Sequence, residues 1–161
     1  MASGKDVNVL VYGASTATGC SSTGANANYE LFGKNADENG NYKVTLRNKN
    51  GTGINAPTFF EQATNEIVKR FGNGNNVNYY NIACGGTGAS WGKDNLLPRV
   101  EFMNKYYSKV ITPDIIFLKF MGNDVKTSPE SFRASNESMV ENFKKLYPEA
   151  LIVMVSGSQS I

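Results

Sequence analysis

The stretch VNVLVYGASTATG, residues 7–19, decides how the rest of the chain is interpreted. It begins as an apolar run that predicts a buried strand, and it then breaks into a tight turn of small residues. Two chemistries use such a turn after a strand. One holds the pyrophosphate of a nucleotide on backbone N–H groups, and the other presents a serine hydroxyl as a nucleophile, here Ser15. The residues that follow the other strands must decide between the two.

Four short runs rich in Val, Ile and aromatic residues predict strands buried on both faces. They span residues 7–12, 77–82, 115–121 and 151–155. Helical patterns separate the last three runs and precede the second. Strands that alternate with helices indicate a parallel α/β sheet covered on both faces, in which ligands bind at the carboxyl ends of the strands.

Three helices are predicted from capping residues and apolar spacing. Thr58 and Glu61 form a capping box, and the helix that follows ends before Gly72. Ser128 and Pro129 open another helix, which Pro148 closes. Between these two, a third helix carries apolar residues at helical spacing, namely Leu96, Val100, Met103 and Tyr107.

An insertion rich in Asn and Gly, at about residues 33–56, interrupts the alternation. Tyr42, Val44 and Leu46 alternate within it, which favours a short hairpin or flap strand. An insertion after the first strand would overhang the carboxyl edge of the sheet. It would then be either a lid on the substrate side or a surface loop.

Length, charge and composition limit which partners and functions are expected. The chain of 161 residues fits one domain, residues 1–161, with a net charge of +2 and basic residues scattered along it, so nucleic acid is not an expected partner. No run approaches the roughly 18 apolar residues of a membrane span, and no signal peptide is visible. We expect a soluble chain with no membrane partner, cytoplasmic as written or secreted if a signal was removed, which leaves the compartment open.

Two cysteines and the absence of histidine limit the chemistry further. Cys20 and Cys84 do not have metal-site spacing, and we expect neither a metal nor a cofactor. Both follow strands at the same predicted edge, so they are either two thiols or one disulfide. The chain has no histidine, which removes the commonest general base and the commonest metal ligand.

The three segments that follow strands collect the groups needed for acyl transfer. Ser15 follows the first strand, the glycines at 85, 86 and 88 follow the second, and Asn123 follows the third. Acyl transfer needs a hydroxyl nucleophile and donors aimed at the developing oxyanion. Glycine exposes a backbone N–H to such an oxygen, and the Asn123 amide offers a second donor.

These segments resemble the SGNH, or GDSL-type, hydrolases, a family of esterases, lipases and carbohydrate deacetylases. GASTATG at 13–19 resembles the block that carries the nucleophile, NIACGGTG at 81–88 the block that supplies a glycine N–H, and FMGND at 120–124 the block that supplies an asparagine. The resemblance implies a flavodoxin-like three-layer α/β/α fold with a mainly parallel sheet. It assigns the nucleophile to Ser15 and the oxyanion hole to Gly86 and Asn123, with Gly85 or Gly88 as other positions for the glycine. The implied substrate is a small-molecule or carbohydrate ester.

The chain departs from the family pattern at three points. Ala14 and Met121 replace an aspartate and a glycine of the family blocks. The family's last block, an Asp-x-x-His that supplies the general base, has no counterpart, and the last strand and helix of the fold are also missing from the expected order. A serine without a base is a poor nucleophile. We therefore expect this chain alone to be inactive, with a second chain or a missing C-terminal segment supplying the Asp and His.

Two other functions remain open. A non-catalytic pseudo-hydrolase would bind glycans or serve as a structural module, with Trp91 as a sugar platform or as a packed rim residue. A nucleotide-binding domain for NADPH would use the first turn as its phosphate cradle. Gly13, Ser15 and Gly19 do not match the Gly-x-Gly-x-x-Gly spacing, however, and no acidic residue follows a second strand at the required distance.

Overall fold

A four-stranded parallel sheet lies at the centre of the fold, with the order β4-β1-β5-β6. The computed structural model describes residues 5–19, 31–44, 58–72, 74 and 76–155. In chain order the elements are β1 Val7–Gly13, α1 Ser15–Thr18, β2 Phe32–Ala36, β3 Tyr42–Val44, α2 Phe59–Phe71, β4 Val77–Asn81, α3 Ala89–Tyr106, β5 Ile115–Lys119, α4 Pro129–Leu146 and β6 Leu151–Met154. Each strand of the sheet ends within two residues of the prediction, so the α/β prediction is confirmed.

Successive apolar residues of each strand point to opposite faces of the sheet, and they form a core on each face. Leu10 and Tyr12 of β1 face the layer that contains α3 and α4. Val9 and Val11 face the opposite layer, where Phe60 of α2 covers them. Burial on both faces explains why each strand reads as a nearly continuous apolar run. The arrangement is the expected three-layer α/β/α fold.

The order of strands reverses at β1, and this reversal fixes where a ligand can bind. The chain leaves β1, pairs β4 against one side of it and later pairs β5 against the other side. In sheets of this kind ligands bind outside the carboxyl ends of the strands at such a switch point. The loops after β1, β4 and β5 all meet there.

The predicted insertion contains the antiparallel pair of β2 and β3, which forms a hairpin packed against α3. Phe32 is fully buried and its ring meets that of Phe102 edge to face, with centroids 5.0 Å apart. Tyr42 packs against the same ring at 5.3 Å. The base of the hairpin therefore belongs to the core. Leu46 and the rest of the insertion lie outside the described residues.

Candidate active site

A close approach of β1 and β5 holds the first turn in place. The Ala14 amide donates to the Lys119 carbonyl at 2.9 Å. A Cβ at Gly13 would lie 2.2 Å from the same carbonyl oxygen, so no side chain fits there. Ser15 follows as the first residue of α1 and is partly exposed. The strand end thus fixes the backbone beside Ser15 while its side chain stays accessible to a ligand.

Backbone hydrogen bonds tie the glycine-rich loop, residues 82–88, to the same edge. The Cys84 amide donates to the Gly13 carbonyl at 2.9 Å, which places the loop beside the serine turn. The Thr87 hydroxyl donates to the Cys84 carbonyl at 2.7 Å and closes the loop on itself. Gly86 lies at its exposed tip with φ of 68°, a left-handed conformation that favours glycine.

Asn123 joins the third loop to the second. Its Nδ2 donates to the Thr87 carbonyl at 2.8 Å, next to the exposed tip at Gly86. A side-chain amide has two N–H donors, so this bond fixes the orientation of the amide and leaves a second donor for a ligand. Asn123 is exposed. The loops after β4 and β5 are therefore held together by Asn123, one of the residues that sequence reasoning singled out.

Asp124 makes a second link between the same loops. Its Oδ1 accepts a hydrogen bond from the Ala89 amide at 2.9 Å, in the first turn of α3. The N-cap residue of α3 is Gly88, which offers no side-chain cap, so Asp124 supplies it from the neighbouring loop. A Cβ at Gly88 would lie 2.6 Å from that Oδ1. The glycine admits the carboxylate, a role the sequence did not indicate.

The model of the GDSL-like lipase/acylhydrolase family matches residues 9–160. The chain belongs to the GDSL-like lipase/acylhydrolase family. A search of curated proteins finds none that matches.

A solved structure shows the same fold as this member of the GDSL-like family. It is an active-site mutant of a family two carbohydrate esterase from Clostridium thermocellum in complex with cellohexaose, similar with a TM-score of 0.52 and 15% sequence identity. The match covers 95% of this chain and 43% of the esterase. At that identity the likeness shows the fold, and this chain spans less than half the length of the esterase.

The structure also places two charged residues that could be considered as substitutes for the missing histidine base. Asp114 lies before β5, where it accepts hydrogen bonds from Lys5 and from the Asn8 amide, at the edge of the sheet opposite Ser15. Lys93 lies in α3 with its Nζ 3.3 Å from the Asp94 carboxylate. Neither forms a hydrogen bond with Ser15 in the part of the chain that the structure describes.

The structure describes Trp91 and one of the two cysteines, and their predicted roles stay predictions. Trp91 is half-buried against the core, and the Arg99 guanidinium lies over its ring at 5.3 Å from the centroid. Gly85 is also half-buried in the glycine-rich loop. Cys84 is buried, and Cys20 lies outside the described residues, so their pairing stays a prediction.

Two residues near the site were not found from the sequence. Arg99 is fully buried in α3 and donates to carbonyls of the glycine-rich loop. Lys34 of β2 donates from its Nζ to the Gly86 carbonyl at 3.4 Å. An arginine in a helix and a lysine in a polar insertion are ordinarily interpreted as surface residues, so only the fold could reveal these contacts.

Across residues 5–19, 31–44, 58–72, 74 and 76–155, no group of three or more His, Cys, Asp or Glu could hold a metal. No helix in these ranges is long and apolar enough to cross a membrane.

Proposed function

We propose that this chain carries the nucleophile and the oxyanion hole of a serine ester hydrolase. Ser15 is the nucleophile, and the Gly86 amide and the Asn123 side chain are the oxyanion donors. The observation that supports this most directly is the hydrogen bond of 2.8 Å from Asn123 Nδ2 to the Thr87 carbonyl, because it sets the asparagine beside the glycine-rich loop at the switch point of the sheet.

The reaction follows from these roles. Ser15 Oγ attacks the acyl carbon, its proton passes to a base, and the carbonyl oxygen becomes an oxyanion that the two donors stabilise. Collapse of this intermediate expels the alcohol, which takes up the proton. Water then attacks the acyl-serine in the same way and releases the acid. The donors accelerate both steps because they are already in place when the charge develops.

The base comes from a polypeptide segment outside these 161 residues, or from a second chain. The sequence contains no histidine, and the Asp124 carboxylate is buried, with its Oδ1 bonded to the Ala89 amide at the start of α3. Loss of a triad member from a serine hydrolase lowers kcat by several orders of magnitude. By itself the chain is accordingly a very slow esterase.

The substrate class is an acyl ester of a carbohydrate. The structural neighbour is a carbohydrate esterase seen in complex with cellohexaose, and this supports a sugar ester over a lipid ester. Trp91 lies beside the glycine-rich loop, half-buried, with its ring held by Arg99. A ring fixed in this way suits stacking against a sugar.

Imidazole provides the experiment, because it can replace a missing histidine base. We expect turnover of an aryl acetate by the chain to rise with imidazole concentration after subtraction of the reaction of imidazole alone. The increase should vanish in Ser15→Ala and fall by about 100-fold in Asn123→Ala, as for other oxyanion donors. Ser131→Ala, an exposed serine on α4, is the control and should retain full activity. Equal turnover in wild type and Ser15→Ala would reject the proposal.

The lack of histidine also favours a second function, a pseudo-hydrolase that binds glycans. Such a protein would bind an acetylated oligosaccharide equally well as wild type and as Ser15→Ala, and imidazole would not restore turnover. Calorimetric titration with an acetylated and a deacetylated oligosaccharide separates the two functions. Loss of affinity on deacetylation, together with imidazole-dependent turnover, supports the hydrolase.

A further inference from the structure

Arg99 is a buried cation that contacts backbone on two separate elements. Its side chain is fully buried in α3. Its Nε donates to the Ile82 carbonyl at 2.8 Å, and its Nη2 reaches the Ala83 carbonyl at 3.4 Å. Both carbonyls lie at the start of the glycine-rich loop. An arginine rather than a lysine is required for this, because its planar fork presents several fixed donors.

The other side of the same guanidinium holds the β2–β3 hairpin. Nη1 donates to the Gly33 carbonyl at 2.9 Å and Nη2 to the Phe32 carbonyl at 3.0 Å. The Tyr42 ring of β3 lies 5.0 Å from the guanidinium carbon, so the cation also stacks against the hairpin. One side chain therefore bonds both to the hairpin and to the loop that carries Gly86.

A second contact joins the same two elements at the ligand side. Lys34 Nζ of β2 donates to the Gly86 carbonyl at 3.4 Å. This contact is exposed, whereas three of the four Arg99 bonds are buried and the bond to Gly33 is partly buried. An exposed lysine gives little rigidity, but it shows that the hairpin reaches the tip of the loop. Arg99 holds the base of the hairpin, and Lys34 touches the tip of the glycine-rich loop.

We propose that Arg99 is a positioning residue that holds the glycine-rich loop and the β2–β3 hairpin as one rigid unit. The Gly86 amide is thereby fixed before a ligand binds, and the hairpin is a fixed wall of the site and not a lid. The inference rests on the proposed function for the role of Gly86. Its physical content, the coupling of the two segments, does not depend on catalysis.

Hydrogen exchange of the whole chain, followed by mass spectrometry, tests the coupling. In Arg99→Lys the charge stays but the fork is lost, so residues 32–36 and 82–88 should exchange at least about 10-fold faster, with α4 unchanged. Arg133→Lys is the matched control, since Arg133 is exposed on α4 and pairs with Glu137 at 2.7 Å. It should leave both segments as slow as in wild type. Faster exchange of only one of the two segments in Arg99→Lys, or of neither, would overturn the proposal.

Two further measurements keep the proposal testable if a variant folds poorly. In wild type, exchange measured at increasing sub-denaturing urea should show residues 32–36 and 82–88 opening with one common urea dependence. Separate dependences for the two segments would overturn the coupling. In Arg99→Ala, methylguanidinium should restore slow exchange at both segments together, whereas methylammonium should not. Absence of ester turnover would count against the proposed function and would leave these exchange results unaffected.

Discussion

Gly88 lies where the loops after β4 and β5 meet, and its missing side chain lets them approach closely. The Asp124 carboxylate occupies the space that a Cβ would take, at 2.6 Å. Gly122, in the adjacent loop, has nothing within 4 Å of its Cβ position. These two glycines lie close in the fold but differ in what surrounds them.

Replacement by alanine should separate them. Gly88→Ala pushes the carboxylate away from the start of α3, and we expect a loss of about 1–3 kcal/mol in the free energy of unfolding. Gly122→Ala should change it by less than about 1 kcal/mol, because the new methyl group meets no atom. Urea unfolding followed by circular dichroism measures both. Equal effects of the two substitutions would contradict the packing described for Gly88.

Sequence motifs singled out residues in three loops that the fold brings together. Ser15, Gly86 and Asn123 were selected from three short segments, and the structure brings those segments to one edge of the sheet. Their catalytic roles remain predictions. Arg99 gave no such signal, because its partners are backbone carbonyls from segments 66 and 17 residues away along the chain. Contacts of this kind depend on the fold and not on local pattern.

At the level of elements, α3 depends on a cap from another loop. The Ala89 amide, one of the orphan donors at its start, bonds to Asp124 Oδ1. Asp124→Ala removes the acceptor and should cost about 1–3 kcal/mol of unfolding free energy. Asp124→Asn keeps an acceptor oxygen in the same place and should cost less than about half as much. Chemical denaturation of the two variants gives the comparison, and a loss in Asp124→Asn equal to that in Asp124→Ala would show that the cap is unimportant.

The sequence predicted the apolar face of α3 but not where the helix begins. The periodic residues from Leu96 onward marked the helix, but it begins seven residues earlier, at Ala89. Its first turns contain Gly92, whose missing side chain makes room for the Phe120 ring. A glycine there reads as a helix breaker in sequence, although in the fold it permits close packing. The strands were predicted more accurately, since burial on both faces leaves a continuous apolar run.

At the level of the whole molecule, buried tyrosines set how stability responds to alkali. Burial raises the pKa of Tyr12 above its ordinary value of about 10, and its hydroxyl donates to the Gly92 carbonyl at 2.7 Å. Burial also raises the pKa of Tyr42 and of Tyr147. The folded state therefore holds these protons more tightly than the unfolded chain does. Their contribution is fully present below about pH 10 and is lost as the pH rises above it.

Unfolding free energies measured between pH 8 and pH 11.5 test this. From these groups we expect no loss up to about pH 9 and a steep decline above pH 10. Tyr12→Phe should be less stable at pH 8, because the Gly92 carbonyl loses its donor, but its decline above pH 10 should be shallower. A decline of the same slope in both proteins would show that Tyr12 does not carry the effect.

Self-association through the edge strand β6 is a second property of the whole molecule that can be tested. Of the described strands, only β5 pairs with it, and it exposes 60% of Leu151 and 54% of Met154. Open, apolar strand edges promote association. Met154→Lys should lower concentration-dependent light scattering, whereas Val110→Lys, which replaces a valine that is 78% exposed and lies outside the strands, should not. A similar reduction in both would point to net charge as the cause.

Covalent labelling of the serine tests the central claim most directly. A fluorophosphonate places its phosphonyl oxygen in the oxyanion hole as the serine attacks phosphorus. With imidazole present, we predict one adduct per chain, mapped to Ser15 by peptide mass spectrometry. The adduct should be absent in Ser15→Ala, formed about 10–100-fold more slowly in Asn123→Ala, and unchanged in Ser131→Ala. An adduct that persists in Ser15→Ala, or labelling spread over exposed serines at equal rates, would contradict the assignment of Ser15 as the nucleophile.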